Sequence, residues 1–326
     1  IKKISYSVLK KIYRFLFKTF SWPDYAMFWA FTIFKNRKRI ENKFDIIISV
    51  SLPFTSHLCA YILQKRISAD WYMDIGDPFS LKINSPENNK IIYSYLNKYY
   101  EKKFYQNAEK IIFTHSEVAE LHQDKFNIDR RKIVIGYPIA VLNEKRIKNS
   151  LTFNYEDTPL KIGYFGAFTK SVREPNNYII SIANSLDDQI KHEWYINEES
   201  KKYFTSIKNI SSHQFLDTLP REVALEVMVS KMHVLLSIGN FNKYQMPSKV
   251  IEYISLGKPV LHFAEIADDP LYNFNDQFDN LKIINSKTTK NEIENYIDNI
   301  RENRLELNIG NFNNNFSATE LINNLI

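Results

Sequence analysis

From residue 44 onward, short continuous runs of apolar and β-branched residues alternate with longer segments whose apolar positions recur at helical spacing. The apolar runs predict strands over 45–50, 71–75, 110–114 and 132–135, separated by helices over 54–65, 87–106 and 117–126. After a polar stretch over 146–159 the alternation restarts. It predicts strands over 160–165, 192–196, 234–238 and 259–263 and helices over 175–185, 221–230 and 247–256. Strands that are apolar throughout, each followed by a helix, imply parallel sheets covered on both faces. The pattern therefore predicts two doubly wound, Rossmann-like α/β domains, with ligands beyond the carboxyl ends of the strands in a cleft between them. The expected division is 1–148 for the first domain, 149–305 for the second and 306–326 for a helical tail. In that tail Ser317 and Glu320 form a capping box, with Phe316 placed to staple the helix start.

The first 39 residues break this alternation. Ile4, Val8, Ile12, Phe15, Leu16 and Thr19 fall at helical spacing, and the segment holds ten Lys and Arg side chains against Asp24 alone. A basic amphipathic helix of this kind suits an anionic membrane surface; an ordinary docked helix with a solvated basic side is the other reading. The apolar run over 25–34 is about half the ~20 residues of a spanning helix, so it is expected at an interface or in a core. Residue 1 is Ile and no signal-peptide pattern follows, which suggests that the chain is incomplete at its start.

Composition narrows the chemistry. At 326 residues with 44% hydrophobic content, the chain can bury two cores. Cys59 is the only cysteine, which rules out a disulfide framework or cysteine-based zinc site and fits a reducing compartment. No HExxH, Walker loop or recognisable nucleic-acid-binding motif is present. With these motifs absent, neither metal nor ATP chemistry is expected. The net charge of +6 is concentrated in the first 39 residues, whose basic and aromatic side chains would suit a nucleic-acid surface, but without a binding motif nucleic acid is not the expected partner.

The most informative stretch follows the strand ending at Ile238. It runs Gly239-Asn-Phe-Asn-Lys-Tyr244-Gln245-Met-Pro247-Ser248-Lys249-Val-Ile-Glu252-Tyr-Ile-Ser-Leu-Gly257-Lys258-Pro259. Pro247 suits the first position of a helix and Gly257 the left-handed residue after it. A cation in the first turn works against the helix dipole, so Lys249 is explained either by a bound anion or by an i, i+3 pair with Glu252.

This stretch closely resembles the donor-site signature of family-four glycosyltransferases, in which a Pro-Ser-Lys, a Glu-Tyr pair and a Gly-Lys-Pro recur at this spacing. The resemblance extends from Lys161-Ile-Gly163-Tyr-Phe-Gly166 to Gly257 and implies the GT-B fold. It also implies that Arg173 and Lys249 face the diphosphate of a nucleotide sugar, that Glu252 accepts the ribose hydroxyls, and that Gly166, Gln245 and Ser248 line the phosphate or sugar portion. No Asp-x-Asp motif stands in the chain, and Asp187-Asp188 and Asp268-Asp269 are adjacent pairs read as loop charges. The expectation is thus metal-independent transfer with no cofactor beyond the nucleotide-sugar co-substrate. One departure is plain: the family's first Glu of the Glu-x7-Glu signature falls on Tyr244.

In the first half, Ser49-Val-Ser-Leu-Pro-Phe-Thr-Ser-His57 and Asp70-Trp-Tyr-Met-Asp74-Ile-Gly76-Asp77-Pro resemble first-domain segments of bacterial members, except that those carry Arg where Gly76 stands. Asp74 and Asp77 are candidates to orient the acceptor hydroxyl or its proton acceptor; an Asp-Pro turn is the alternative. His57 is assigned to the start of its helix rather than to catalysis. The resemblance implies a retaining hexosyltransferase of bacterial surface-polysaccharide assembly. Its acceptor would be a lipid-linked saccharide or oligosaccharide, and residues 1–39 would hold it at the cytoplasmic face of the plasma membrane. The rival reading is a non-catalytic GT-B subunit that binds a nucleotide sugar or a partner protein.

Overall fold

The computed structural model describes residues 19–40, 43–82, 86–151, 153–155, 159–186, 190–208, 210–302 and 307–325. The basic amphipathic segment expected over residues 4–18 lies outside them. The chain forms two compact units, the first ending at Gly136 and the second starting at Tyr137, earlier than the expected 148.

In the first unit, α1 (Met27–Asn36) precedes β1 (Ile46–Ser51), α2 (Thr55–Gln64), β2 (Asp70–Ile75), α3 (Lys90–Asn107), β3 (Lys110–Phe113), α4 (Ser116–Phe126) and β4 (Ile133–Ile135). The strands pair in parallel in chain order, with Ile48 opposite Tyr72, Met73 opposite Ile111 and Ile112 opposite Val134. Trp71, Met73 and Ile75 alternate into the core, where the Trp71 ring meets Phe104 at 5.7 Å between centroids. The buried indole N–H of Trp71 donates to Ser49 Oγ at 2.7 Å, and Ser49 Oγ lies 2.7 Å from His57 Nδ1. This relay satisfies polar groups that burial would otherwise leave unpaired. Burial lowers His57 to a pKa of about 3, so it sits in the core as a neutral histidine.

Asp24 is fully buried, and its carboxylate accepts from the Thr55 N–H at 2.9 Å and the Thr55 hydroxyl at 2.7 Å. A carboxylate at the start of α2 answers orphan N–H groups there. On α1, by contrast, Phe28, Trp29, Phe31 and Phe34 are all exposed. The run over 25–34 therefore buries Ala30 but leaves its aromatic side chains exposed within the described structure.

The second unit contains α5 (Glu144–Leu151), β5 (Leu160–Phe165), α6 (Asn176–Ser181), β6 (Ile190–Tyr195), β7 (His213–Leu216), α7 (Arg221–Lys231), β8 (Val234–Ile238), α8 (Lys249–Ser255), β9 (Val260–Phe263), β10 (Leu281–Ile284), α9 (Lys290–Arg301), α10 (Ile309–Phe316) and α11 (Ala318–Leu325). Its six strands are parallel in the order β10-β9-β8-β5-β6-β7. Two chain directions diverge from β5, which pairs with β6 on one side and β8 on the other. That is the doubly wound nucleotide-binding order, and its switch point lies at the carboxyl ends of β5 and β8.

The periodicity did not mark β7 and β10. Both are edge strands, and polar His213 and Gln214 in one and Lys282 in the other break their short apolar runs. The helix expected over 175–185 ends at Ser181 and resumes as a 3-10 turn over Ala183–Ser185. The expected tail packs into the second unit, with Phe312 and Phe316 buried against Phe274 and Phe278. Ser317 Oγ accepts from the Glu320 N–H at 3.1 Å, one half of the expected capping box. A complete box instead starts α9, between Thr289 and Glu292.

Gly257 has φ +68°, the left-handed conformation expected after α8. Lys258, next to it, is wholly buried. Its ammonium donates to the Met232 carbonyl at 2.9 Å and sits 3.5 Å from the centre of the Phe153 ring. Burial pushes its pKa down to about 7.

Candidate functional site

The switch point is built by three short loops. The first is the end of β5, Phe165-Gly166, where the Gly166 N–H donates to the Tyr195 carbonyl at 3.1 Å. A Cβ at Gly166 would lie 3.2 Å from both Lys249 Nζ and the Tyr164 hydroxyl, so only glycine leaves that space open. The second is the turn over 169–173, closed by the Thr169 and Arg173 backbones and by Ser171 at φ +61°. The third is the loop from Gly239 to Ser248.

The second and third loops are tied together. The Phe241 N–H donates to the Val172 carbonyl at 2.9 Å, and Arg173 Nε donates to Asn240 Oδ1 at 3.2 Å. Asn240 Nδ2 in turn donates to the Gln245 carbonyl at 2.8 Å, and Gln245 Oε1 accepts from Asn242 Nδ2 at 3.3 Å. Gln245 thus serves the loop's own structure through both its backbone and its side chain. Tyr244 is partly buried, with its N–H on Asn242 Oδ1 at 3.1 Å.

The helix that follows is shorter than the expected 247–256. It begins at Lys249, and exposed Ser248 stands at its N-cap without a side-chain capping bond. Its seven residues make the sequence argument from a helix dipole a minor one; the placement of the lysine head matters more. Lys249 Nζ turns inward and donates to the Phe165 carbonyl at 2.7 Å, a carbonyl that also accepts from the Tyr253 hydroxyl at 3.3 Å. Desolvation of the ammonium lowers its pKa, the nearby Arg173 guanidinium lowers it further, and Glu252 opposes both. The alternative i, i+3 pair between Lys249 and Glu252 is not the contact that Glu252 makes. Its carboxylate takes Arg221 NH2 at 2.5 Å.

Two cavities meet at these side chains. One, of about 330 Å³, is a slot lined by Phe165, Gly166, Tyr195, Leu219, Lys249 and Glu252. The Phe165 and Tyr195 rings stack there at 4.4 Å between centroids. The other, of about 480 Å³, is lined by Asn143, Arg146, Arg221, Ser248, Lys249 and Glu252 among others. Lys249 and Arg221 line the apolar slot with the Glu252 carboxylate beside them, and the Arg173 charge acts on Lys249 from the neighbouring loop; such a site suits an anionic group carrying a flat ring and vicinal hydroxyls.

The structure thus brings together Gly166, Arg173, Lys249 and Glu252, with Gln245 and Ser248 on the flanking loop. Arg221 and Asn240 were not singled out from sequence. Asn240 lies two residues past a strand in an Asn-rich loop, and Arg221 opens a helix; neither position is distinctive by residue type.

Asp74 and Asp77 belong to the first unit. Asp74 ends the inner stretch of β2, and burial raises its pKa. Asp77 lies 3.8 Å from Lys82 Nζ, which also donates to Glu87 at 2.8 Å. This ion pair gives Asp77 a structural partner in its Asp-Pro turn. Gly76 sits tightly, since a Cβ there would come within 3.0 Å of the Ser51 carbonyl. Among the described residues no group of three or more His, Cys, Asp or Glu side chains is placed to hold a metal ion.

No protein-family model matches the chain, and no curated protein matches it in sequence. Solved structures do match. HepE of Anabaena, in complex with UDP and glucose, superposes with a TM-score of 0.60 at 10% identity over 91% of this chain and 79% of its own. A glycosyltransferase of Rickettsia africae gives 0.58 at 14% identity over 93% and 80%. The lipopolysaccharide outer core galactosyltransferase WaaB gives 0.55 at 12% identity over 90% and 77%. At these identities the likeness is one of fold. The two parallel α/β units have the GT-B architecture.

Proposed function

We propose that this chain is a glycosyltransferase that moves a hexose from a nucleotide-sugar donor to the hydroxyl of a lipid-linked or saccharide acceptor. The observation that carries the reading is the convergence of Arg173 and Lys249 at the switch point of the second unit, beside an apolar slot and Glu252. In glycosyl transfer the bond between the sugar C1 and the diphosphate oxygen breaks, and its electron pair goes to that oxygen. Two fixed cations aimed at the diphosphate stabilise this developing charge without reorganising. In this reading Gly166 lets the diphosphate approach the backbone, Ser248 donates to it, and Gln245 shapes the sugar loop. Glu252 accepts the ribose hydroxyls, and the slot beside Phe165 and Leu219 takes the base.

The finer features follow from the sequence resemblance. Transfer proceeds with retention through an oxocarbenium-like transition state and needs no metal, because the cations do the work that a divalent ion would do. Asp74 or Asp77 orients the acceptor hydroxyl. The exposed aromatic face of α1, followed by Lys35, Arg37, Lys38 and Arg39, supports peripheral attachment to an anionic bilayer, at the cytoplasmic face where surface polysaccharides are assembled. Among the described residues no helix is long and apolar enough to cross a membrane.

One observation favours a second reading. Tyr244 stands where the family places the carboxylate that holds the donor sugar, which would suit a GT-B subunit that binds a nucleotide sugar without turning it over. The test is to incubate the protein with UDP-hexoses, with and without EDTA, and follow UDP and sugar release by NMR. UDP formation unaffected by chelator, with the released sugar first appearing in the donor's anomeric form, is expected. Binding without release would establish the second reading.

A further inference from the structure

Arg221 occupies the wall shared by the two cavities, and its NH2 lies 2.5 Å from Glu252 Oε1. No other hydrogen bond reaches the Glu252 side chain among the described residues, so Oε2 is left open. Arg221 also has a second carboxylate at hand: its NH1 lies 3.8 Å from Glu222 Oε1, and Glu222 is itself anchored by Arg146 NH2 at 2.7 Å. A pair this exposed contributes little to stability, so its place at the mouth of the slot is not explained by the fold.

We propose that Arg221 is a positioning residue for nucleotide recognition: its guanidinium fixes the Glu252 carboxylate so that the open oxygen meets the ribose 2′- and 3′-hydroxyls. The inference rests on the reading that this pocket takes a nucleoside diphosphate. A lone glutamate at a cavity mouth samples several rotamers, and a ligand that needs its carboxylate in one orientation must first select that rotamer. The planar guanidinium makes that selection in advance. When a ribose hydroxyl takes a share of Oε1, Arg221 leans on Glu222, which Arg146 holds in place. The ladder Arg146, Glu222, Arg221 and Glu252 thus keeps the ribose site ordered without closing it.

The test uses the full chain and isothermal titration with UDP, GDP and their 2′-deoxy forms, carrying forward whichever base binds more tightly. The wild type is expected to prefer the ribonucleotide by about tenfold, the scale of one hydrogen bond to a charged acceptor. Arg221→Gln should weaken the ribonucleotide by a similar factor and leave the deoxynucleotide within about twofold, so that the preference collapses. Glu252→Gln should collapse it equally, and the double variant should be no worse than Glu252→Gln alone. Arg221→Lys, which keeps the charge but not the fork, should fall between wild type and Arg221→Gln, and it carries the test should the glutamine variant fail to fold. An Arg221 variant that weakens both nucleotides equally, or neither, overturns the inference while leaving the donor site standing. A wild type that binds no nucleoside diphosphate overturns the site itself.

Discussion

Lys249 Nζ donates a 2.7 Å hydrogen bond to the carbonyl oxygen of Phe165, joining the first residue of α8 to the last residue of β5 across the switch point. The bond holds an ammonium where Gly166 leaves room beside it. A methyl group at Gly166 would lie 3.2 Å from that nitrogen and must push the flexible lysine head away. Gly166→Ala is therefore expected to weaken nucleoside diphosphate binding about tenfold while moving stability by less than about 1 kcal/mol. Titration calorimetry and a melting curve on the same variant check both halves.

The Lys249 ammonium is desolvated and near a second cation, so its pKa is lowered. A bound diphosphate favours the charged form, and binding must then draw a proton wherever the free enzyme has lost one. Affinity for UDP is predicted to fall as pH rises through the lowered Lys249 pKa, beginning below the ordinary lysine value, and Lys249→Arg should bind without that fall because guanidinium stays protonated. Affinities measured from pH 7 to 10 distinguish the two. A wild type whose affinity does not change over that range would count against a titrating lysine at the phosphate.

Lys258 gives a separate pH signature in the fold. Its pKa drops from an ordinary 10.5 to about 7 in the folded protein, so between those values the unfolded chain holds the extra proton. Its contribution to stability must rise as pH rises from about 7 toward 10.5, and the charged form costs the folded state most below pH 7. The slope is bounded by 1.36 kcal/mol per pH unit, so a gain of about 2 kcal/mol between pH 7 and 9 is expected in urea unfolding. Lys258→Met should lose that gain.

The exposed face of α1 predicts binding to vesicles containing about one-third anionic lipid and little binding to neutral vesicles. Replacing Phe28 and Phe31, both more than 60% exposed, with Ser should reduce sedimentation with anionic vesicles severalfold without lowering the melting temperature. Concentration-dependent dimerisation lost in the same variant, with no vesicle binding, would assign the face to a second copy of the chain instead.

Much of this arrangement can be read from the residues alone, because long apolar strands and Gly-Lys-Pro punctuation write their positions locally. β5 and β8 fall where the pattern places them, and the doubly wound order follows from alternation and handedness. What sequence does not expose is the partner of each polar side chain. Glu252 pairs with Arg221, thirty-one residues away, rather than with Lys249 on its own helix. The His57 side chain turns to Ser49, whose Oγ also accepts from Trp71, rather than to its helix start. Asn240, which links Arg173 to the loop before α8, has no periodicity to betray it. Such contacts depend on tertiary approach between loops, which no local pattern encodes.

The most direct measurement compares the affinities of UDP and uridine for wild type and Lys249→Met with and without EDTA. If Arg173 and Lys249 grip the diphosphate, UDP binds at least about a hundredfold more tightly than uridine in the wild type, and the variant loses about tenfold or more of that advantage while uridine binding is unchanged. Equal affinities for UDP and uridine in the wild type, or a UDP advantage that survives in Lys249→Met and disappears with EDTA, would contradict it.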